Sequence, residues 1–172
     1  MNQGKLVYIG LGTNLGDRKE NIKKTLQLIK ENYTILYTSS LYSSEPWGYE
    51  SDSYFINSVI CIETHDDPFT IFHFLKNIEL KLGRLKTITN YYEDRIIDLD
   101  ILFYSNETIE NEILTIPHIE IPNRKFVLKP MNEIAPNFIH PTLKKTISIL
   151  LIECKDQSIL EQIDNKLSGK EI

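Results

Sequence analysis

Two cysteines, two methionines and a single tryptophan in 172 residues leave several kinds of protein out at once. Cys61 sits in a strand-like run and Cys154 in a helix-like one, with no CxxC and no nearby His pair. A disulfide framework and a sequence-local zinc site are therefore not indicated, and both cysteines are expected as buried, reduced thiols. No stretch nears the roughly 18 uninterrupted apolar residues that cross a bilayer. Met1-Asn2-Gln3-Gly4-Lys5 also lacks the apolar segment of a signal peptide, so a cytoplasmic protein without a membrane partner is expected. Positive charge is in deficit, 19 Lys and Arg against 24 Asp and Glu for a net charge of -5, which weighs against a nucleic-acid surface but leaves cations free to gather in a pocket. Internal repeats and low-complexity linkers are missing too. What remains, 41% apolar by composition, can bury one sizeable core and is expected as one domain over 1–172 with its last few residues frayed.

Apolar residues from Leu6 lead into Gly10-Leu11-Gly12-Thr13-Asn14-Leu15-Gly16, and Asp17 and Glu20 follow at the spacing of a helix N-cap and its partner. The pattern predicts a strand, a turn and a helix over 17–32 with Ile22, Leu26 and Ile29 on one stripe. A strand over 34–42 and a loop over 43–52 containing Pro46, Trp47 and Gly48 come next, then a strand over 54–63. Asp67 and Pro68 start a second helix, whose stripe runs through Phe72, Leu75, Ile78 or Glu79 and Leu82, and Gly83 ends it. With a final strand over 95–103, the order is β-α-β-β-α-β. That order belongs to an α+β, ferredoxin-like antiparallel sheet with helices on one face, leaving the other face to be covered or functional. Beyond it, short extended pieces lead to helical segments near 126–133 and 144–154, and 158–167 suits one more helical turn.

The last of those strands, Arg95-Ile96-Ile97-Asp98-Leu99-Asp100-Ile101-Leu102-Phe103, is the most informative. Side chains alternate across a strand, so Ile97, Leu99, Ile101 and Phe103 are expected on one face and Asp98 with Asp100 on the other. Same-face neighbours stand roughly 7 Å apart. Two carboxylates so placed repel, and a divalent cation that prefers oxygen relieves that repulsion while keeping positions open for phosphate. A strand that is merely polar on its solvent face would also carry D-x-D. The Gly10–Gly16 turn lacks the Lys-Ser/Thr of a P-loop and the spacing of a dinucleotide fingerprint, but Asn14 stands at the strand end where its amide can hold the turn or meet a ligand. Phe55, Asn57, Val59 and Cys61 share a strand face. An amide in that apolar company needs a partner, either a nearby backbone or a flat heterocycle on which Phe55 could stack. Arg84 and Arg95 bracket a polar stretch, 85–94, with the character of a lid, and arginine's planar fork suits phosphate. His118 after Pro117, and Arg124 after Pro122 and Asn123, form a second cationic group on a constrained loop.

Taken in order, several of these pieces resemble the 6-hydroxymethyl-7,8-dihydropterin pyrophosphokinases of folate biosynthesis. They are Tyr8-Ile9-Gly10-Leu11-Gly12-Thr13-Asn14-Leu15-Gly16-Asp17, Glu45-Pro46-Trp47-Gly48-Tyr49, Phe55-Ile56-Asn57, Glu79 with Gly83-Arg84, the Arg95–Leu102 strand, Thr115-Ile116-Pro117-His118 and Asn123-Arg124-Lys125-Phe126. The resemblance implies transfer of the terminal pyrophosphoryl unit of ATP to the pterin's hydroxymethyl oxygen, with release of AMP, by an enzyme expected as a monomer. By motif, Asp98 and Asp100 would bind two magnesium ions and Asn57 would hydrogen-bond the pterin. Phe55 and Phe126 would sandwich its ring, with Ser44, Trp47 and Asn14 on the pterin side. Arg84, Arg95, His118 and Arg124 would contact the triphosphate, and Arg84 and Arg95 join the two aspartates as catalytic residues. Tyr92-Glu93-Asp94-Arg95 departs from the family's Trp-Gly-Pro-Arg, keeping the arginine while losing a stiff turn and gaining two acids. Lys76, Lys86 and Ile119 stand where the family often has Arg, Gln or an aromatic, so the adenine and ribose contacts do not carry over.

Three other readings compete. A non-catalytic ferredoxin-like binding module would not need paired acids opposite arginines. A metal-dependent phosphoesterase would hydrolyse ATP without pterin. RNA binding would call for aromatic sheet motifs that the chain lacks.

Overall fold

The structure is a computed structural model that describes residues 4–84 and 94–164. The first half builds the sheet and its inner helices: β1 (Lys5–Thr13), α1 (Arg18–Lys30), β2 (Thr34–Thr38), β3 (Leu41–Ser44), β4 (Phe55–Thr64), α2 (Pro68–Lys81) and β5 (Asp98–Tyr104). A small hairpin of β6 (Ile109–Glu110) and β7 (Thr115–Ile116) follows, then a 3-10 turn at Ile121–Asn123, α3 (Lys125–Ile134), α4 (Ile147–Glu153) and β8 (Leu160–Asp164). The main sheet runs β5-β1-β4-β3-β8, with β2 on β4, and its pairings are antiparallel. The architecture is α+β, as the element order implies.

Local signals set the helix ends. The Asp17 carboxylate accepts the Glu20 N–H at 3.0 Å, Asp67 accepts from Phe69 and Thr70, and Gly83 takes a φ of +96° just past α2. The stripe Ile22, Leu26 and Ile29 is buried as expected. On α2 the buried positions are Ile71, Leu75, Ile78 and Glu79, so Ile71 takes the place in the core expected for Phe72. Both helices pack on one sheet face with Val7, Ile9, Leu11, Ile60, Leu99 and Ile101. The opposite face is divided. Tyr8, Val59, Cys61, Leu102 and Phe103 are covered by Val127, Leu128, Met131, Ile147 and Leu150. The other end of that face, around Gly10 and Gly12, is left to a cleft.

Several expectations change. The strand expected over 34–42 is two strands on the same partner: register passes from Thr38↔Ile60 to Tyr42↔Asn57, one residue more on one side than on the other. Ser39 sits at the break, its hydroxyl taking the Val59 N–H at 2.9 Å, which satisfies the backbone where the ladder slips. In β5 the alternation fails at its far end, because the register shift beside Tyr8 and Ile9 skips Leu102. Leu102 and Phe103 consequently both join the α3 and α4 face, against the expected placing of Phe103 with Leu99. α4 begins only at its cap Thr146, and residues 160–164, expected as helix, add a strand to the open edge of β3. Cys61 is buried, whereas Cys154 is only partly so; both are free thiols. Of the lid expected over 85–94 only Asp94 is described; residues 85–93 and the frayed tail lie outside the described residues. Among the described residues no helix is long and apolar enough to cross a membrane.

Candidate active site

Direct cross-strand pairs fix the floor of the cleft. Asp98 stands opposite Gly12, and Asp100 opposite Gly10. Glycine leaves open the space over the floor: a Cβ on Gly12 would come within 3.5 Å of Asn57 Oδ1 and 3.7 Å of the Phe55 ring. Side chains from four segments close around this floor. Ser44, Glu45, Trp47 and Tyr49 come from the end of β3 and its loop, Phe55 and Asn57 from β4, His118 from the loop after β7, and Arg124, Phe126 and Val127 from the start of α3. The space between these side chains, counted out to the open mouth of the cleft, is about 740 Å³.

One end is charged. Arg84 Nη1 reaches Asp98 Oδ1 at 2.7 Å and Glu79 Oε2 at 2.8 Å, and Arg95 Nη1 reaches Asp98 Oδ2 at 2.8 Å. Burial raises the Asp98 carboxyl, yet Arg95, Arg84 and Lys76 together hold it below the usual range. Each close opposite charge at an effective dielectric constant of about 20 is worth about 4 kcal/mol, so two contacting arginines win. Among the described residues Asp100 has no such contact. Burial first and Asp98 second push it up, against the weaker pull of Lys76, His118 and Arg124. The two carboxylates are thus unequally compensated, and an oxygen-seeking divalent cation fits the pair. Among the described residues no group of three or more His, Cys, Asp or Glu is placed to hold a metal ion.

Behind the charged end stands a pair, Glu79 and Lys76, to which the sequence pattern assigned no role. Glu79, nearly fully buried, accepts the Leu99 N–H at 2.7 Å, and Lys76 Nζ bridges Glu79 Oε1 at 2.8 Å to the Leu99 carbonyl at 3.1 Å. β5 is the sheet's edge, so α2 supplies the outward partners of the residue between the two aspartates. Burial raises Glu79 despite Lys76 and Arg84. The available sign was a Glu where an apolar stripe calls for Ile or Leu, which marks a polar group with a specific partner.

The other end is aromatic. Asn57 Nδ2 donates to Ser44 Oγ at 2.9 Å, leaving Oδ1 toward the space over Gly12. The Arg124 guanidinium lies 4.7 Å from the Trp47 ring centre and 5.8 Å from that of Phe126. His118 Nδ1 accepts the Glu120 N–H at 3.2 Å, so the neutral ring carries its proton on Nε2.

Asn14 is not part of the lining. It is buried, and its amide is taken up by protein: Nδ2 donates to Asp94 Oδ1 at 2.7 Å and more weakly to Tyr49 Oη and the Ser53 carbonyl, while Oδ1 accepts the Arg95 N–H at 2.7 Å. Asp94 also accepts from Tyr49 Oη and Ser51 Oγ, each at 3.0 Å. Asn14 therefore fastens the 45–53 loop and the Arg95 backbone to the end of β1 instead of facing the cleft. Burial raises the Asp94 carboxyl, but Ser51, Asn14 and Tyr49 outweigh it and hold it below the usual range. Burial and Asp94 push the Tyr49 phenol up to about 12, so it stays a donor. A depressed carboxyl contributes above its unfolded value and is lost as pH falls through the folded one. The tie should hold down to about pH 4 and open only below it. Asp94→Ala should free the loop at neutral pH, seen as faster decay of Trp47 fluorescence anisotropy; parent-like anisotropy would show that other contacts hold the loop.

An antiparallel α+β sheet carrying paired carboxylates and arginines at one end of a cleft and an aromatic slot with a buried amide at the other defines, by class, a domain built for a polyanion beside a flat polar ring. Residues 8–136 match the family model described as 7,8-dihydro-6-hydroxymethylpterin-pyrophosphokinase, and the chain belongs to that family. It is 36% identical over 141 residues to the 2-amino-4-hydroxy-6-hydroxymethyldihydropteridine pyrophosphokinase of Aquifex aeolicus, covering 82% of this chain and 87% of that one. The protein of the same name from Haemophilus influenzae is 36% identical over 156 residues, covering 90% and 96%. The Folic acid synthesis protein fol1 of Schizosaccharomyces pombe is 35% identical over 168 residues, and there the chain spans only 23% of the relative's length. Among solved structures, a Plasmodium falciparum HPPK-DHPS crystal structure superposes with a TM-score of 0.72 at 20% identity over 88% of this chain and 46% of that one, a likeness of fold.

Proposed function

We propose that the chain transfers the pyrophosphoryl group of ATP to the hydroxymethyl oxygen of 6-hydroxymethyl-7,8-dihydropterin, yielding the pterin diphosphate and AMP in folate synthesis. The single observation carrying this reading beyond family membership is the division of one cleft into an acid-and-arginine end and an aromatic end with a buried amide.

In this reading Asn57 and Ser44 hydrogen-bond the pterin edge, Phe55 and Phe126 hold its faces, and Trp47 closes the slot. Asp98 and Asp100 hold magnesium, which when bound neutralises phosphate charge and lowers the pKa of the attacking hydroxyl. Arg84 and Arg95 begin paired with Asp98 and are placed to turn toward the triphosphate, His118 offers its Nε2–H, and Arg124 offers its guanidinium. No protein nucleophile is required, because alignment and charge neutralisation carry most of the catalysis of phosphoryl transfer. Asn14 acts through the loops it fastens and not by touching the pterin. Light scattering is expected to find a monomer, and ATP as co-substrate goes with a cytoplasmic location.

The test is to mix the protein with ATP, magnesium and the reduced pterin and to separate the nucleotides. AMP that forms only in the complete mixture is the expected result. ADP, or hydrolysis of ATP without pterin, would replace this reading with a phosphoesterase.

A further inference from the structure

α3 starts at Lys125, and its capping residue Arg124 makes no side-chain cap bond. The missing acceptor comes from 31 residues further along the chain: Asp156 Oδ2 takes the Lys125 N–H at 3.0 Å. Asp156 is itself fixed, its Oδ1 accepting the Ser158 N–H at 2.9 Å, and the Ser158 carbonyl accepts Lys125 Nζ at 3.1 Å. Two residues later the chain enters β8, which pairs with β3 through Leu160↔Ser44 and Tyr42↔Gln162. Gln162 Nε2 also donates to Ser40 Oγ at 3.1 Å. One short segment thus grips the start of α3, beside Arg124 and Phe126, and the strand that presents Ser44 to Asn57. Both contribute lining residues to the cleft, and the segment lies beyond the 8–136 stretch that matches the family.

We propose that residues 156–164 are a strap that positions both of these lining segments, with Asp156 as the helix cap that Arg124 does not provide. Asp156 is a positioning residue, acting through Arg124 and Phe126 without touching the substrates. Hydrogen bonds from Ser158 and Lys125 outweigh the effect of burial and keep its carboxyl below the usual range, which suits a cap that is ionised at neutral pH.

The chain's one tryptophan, Trp47, lies against Arg124, so tryptophan emission of the substrate-free protein is sensitive to the placing of Arg124. Asp156→Ala should move that emission toward the spectrum of Arg124→Ala. Resting on the proposed reaction, it should also raise KM for the pterin about fivefold, the equivalent of a typical lost cap, with kcat changing less. Asp156→Asn keeps one acceptor oxygen for the Lys125 N–H but loses the one that takes the Ser158 N–H, so its changes in emission and KM should fall between those of the parent and of Asp156→Ala. Parent-like emission and KM in Asp156→Ala would overturn the strap, as would equal losses in the Ala and Asn variants. If Asp156→Ala does not fold, Lys125→Met, which removes only the Nζ contact, should give a smaller change of the same kind, and no change would overturn the proposal. Shifted emission in a protein that makes no AMP would keep the strap and remove the reaction.

Discussion

Asp98→Ala and Asp100→Ala are each expected to lower turnover by about 10³-fold or more, the scale of losing a principal electrostatic element of a phosphoryl-transfer site. Both side chains are partly exposed at the cleft floor, and neither packs in a core cluster, so thermal unfolding should stay cooperative with a midpoint close to the parent's. The two variants should differ in one respect. Removing Asp98 also strips Arg84 and Arg95 of a shared partner, and Asp98→Asn, which preserves shape, is the control for that loss. Removing Asp100 breaks no ion pair among the described residues. Its effect should therefore show most directly as a higher magnesium concentration for half-maximal AMP formation. Full activity of either alanine variant at ordinary magnesium concentration would remove the metal assignment.

Asn57→Ala is expected to weaken pterin binding by roughly 10- to 100-fold, because a buried amide built to hydrogen-bond a ligand leaves the ligand's own polar edge unpaired when it is removed. ATP binding should change by no more than about twofold, since the nearest assigned triphosphate contacts come from other segments. Calorimetry with each ligand alone separates the two. Equal losses would mean that Asn57 shapes the floor, and Ser44→Ala then discriminates: it removes the 2.9 Å partner of Asn57 Nδ2 while leaving the amide in place. If Asn57 acts as proposed, Ser44→Ala should be the milder change, because water can take up the freed donor.

Family membership was legible because its motifs are local and ordered, and the two D-x-D carboxylates were legible because a strand's period of two leaves them no other face. Helix starts at Asp17 and Asp67 were legible for a similar reason: a cap is chemistry between residues two or three apart. The misreadings concern places where one segment answers to another. Asn14 was expected beside a ligand, but the groups that take up its amide, Tyr49, Ser53, Asp94 and Arg95, are 35 to 81 residues away. Phe103 changes face because of a slip in pairing with β1, which no pattern within β5 reveals. The tail reads as helix by composition and becomes a strand because the edge of β3 offers unpaired backbone groups.

The sequence by itself determined the order of strands and helices up to β5 apart from the break at Ser39, the caps at Asp17 and Asp67, the stripe of the first helix and the chemical identity of the carboxylates, arginines and amide, since each follows from spacing along a few residues of chain. Only the tertiary structure decided which of these share a cleft, which are ion-paired with one another, and which, like Asn14, Glu79 and Asp156, serve by holding other residues. Those outcomes depend on contacts between segments distant in sequence, where a hydrogen bond or an ion pair is fixed by how the sheet, helices and tail close around one another.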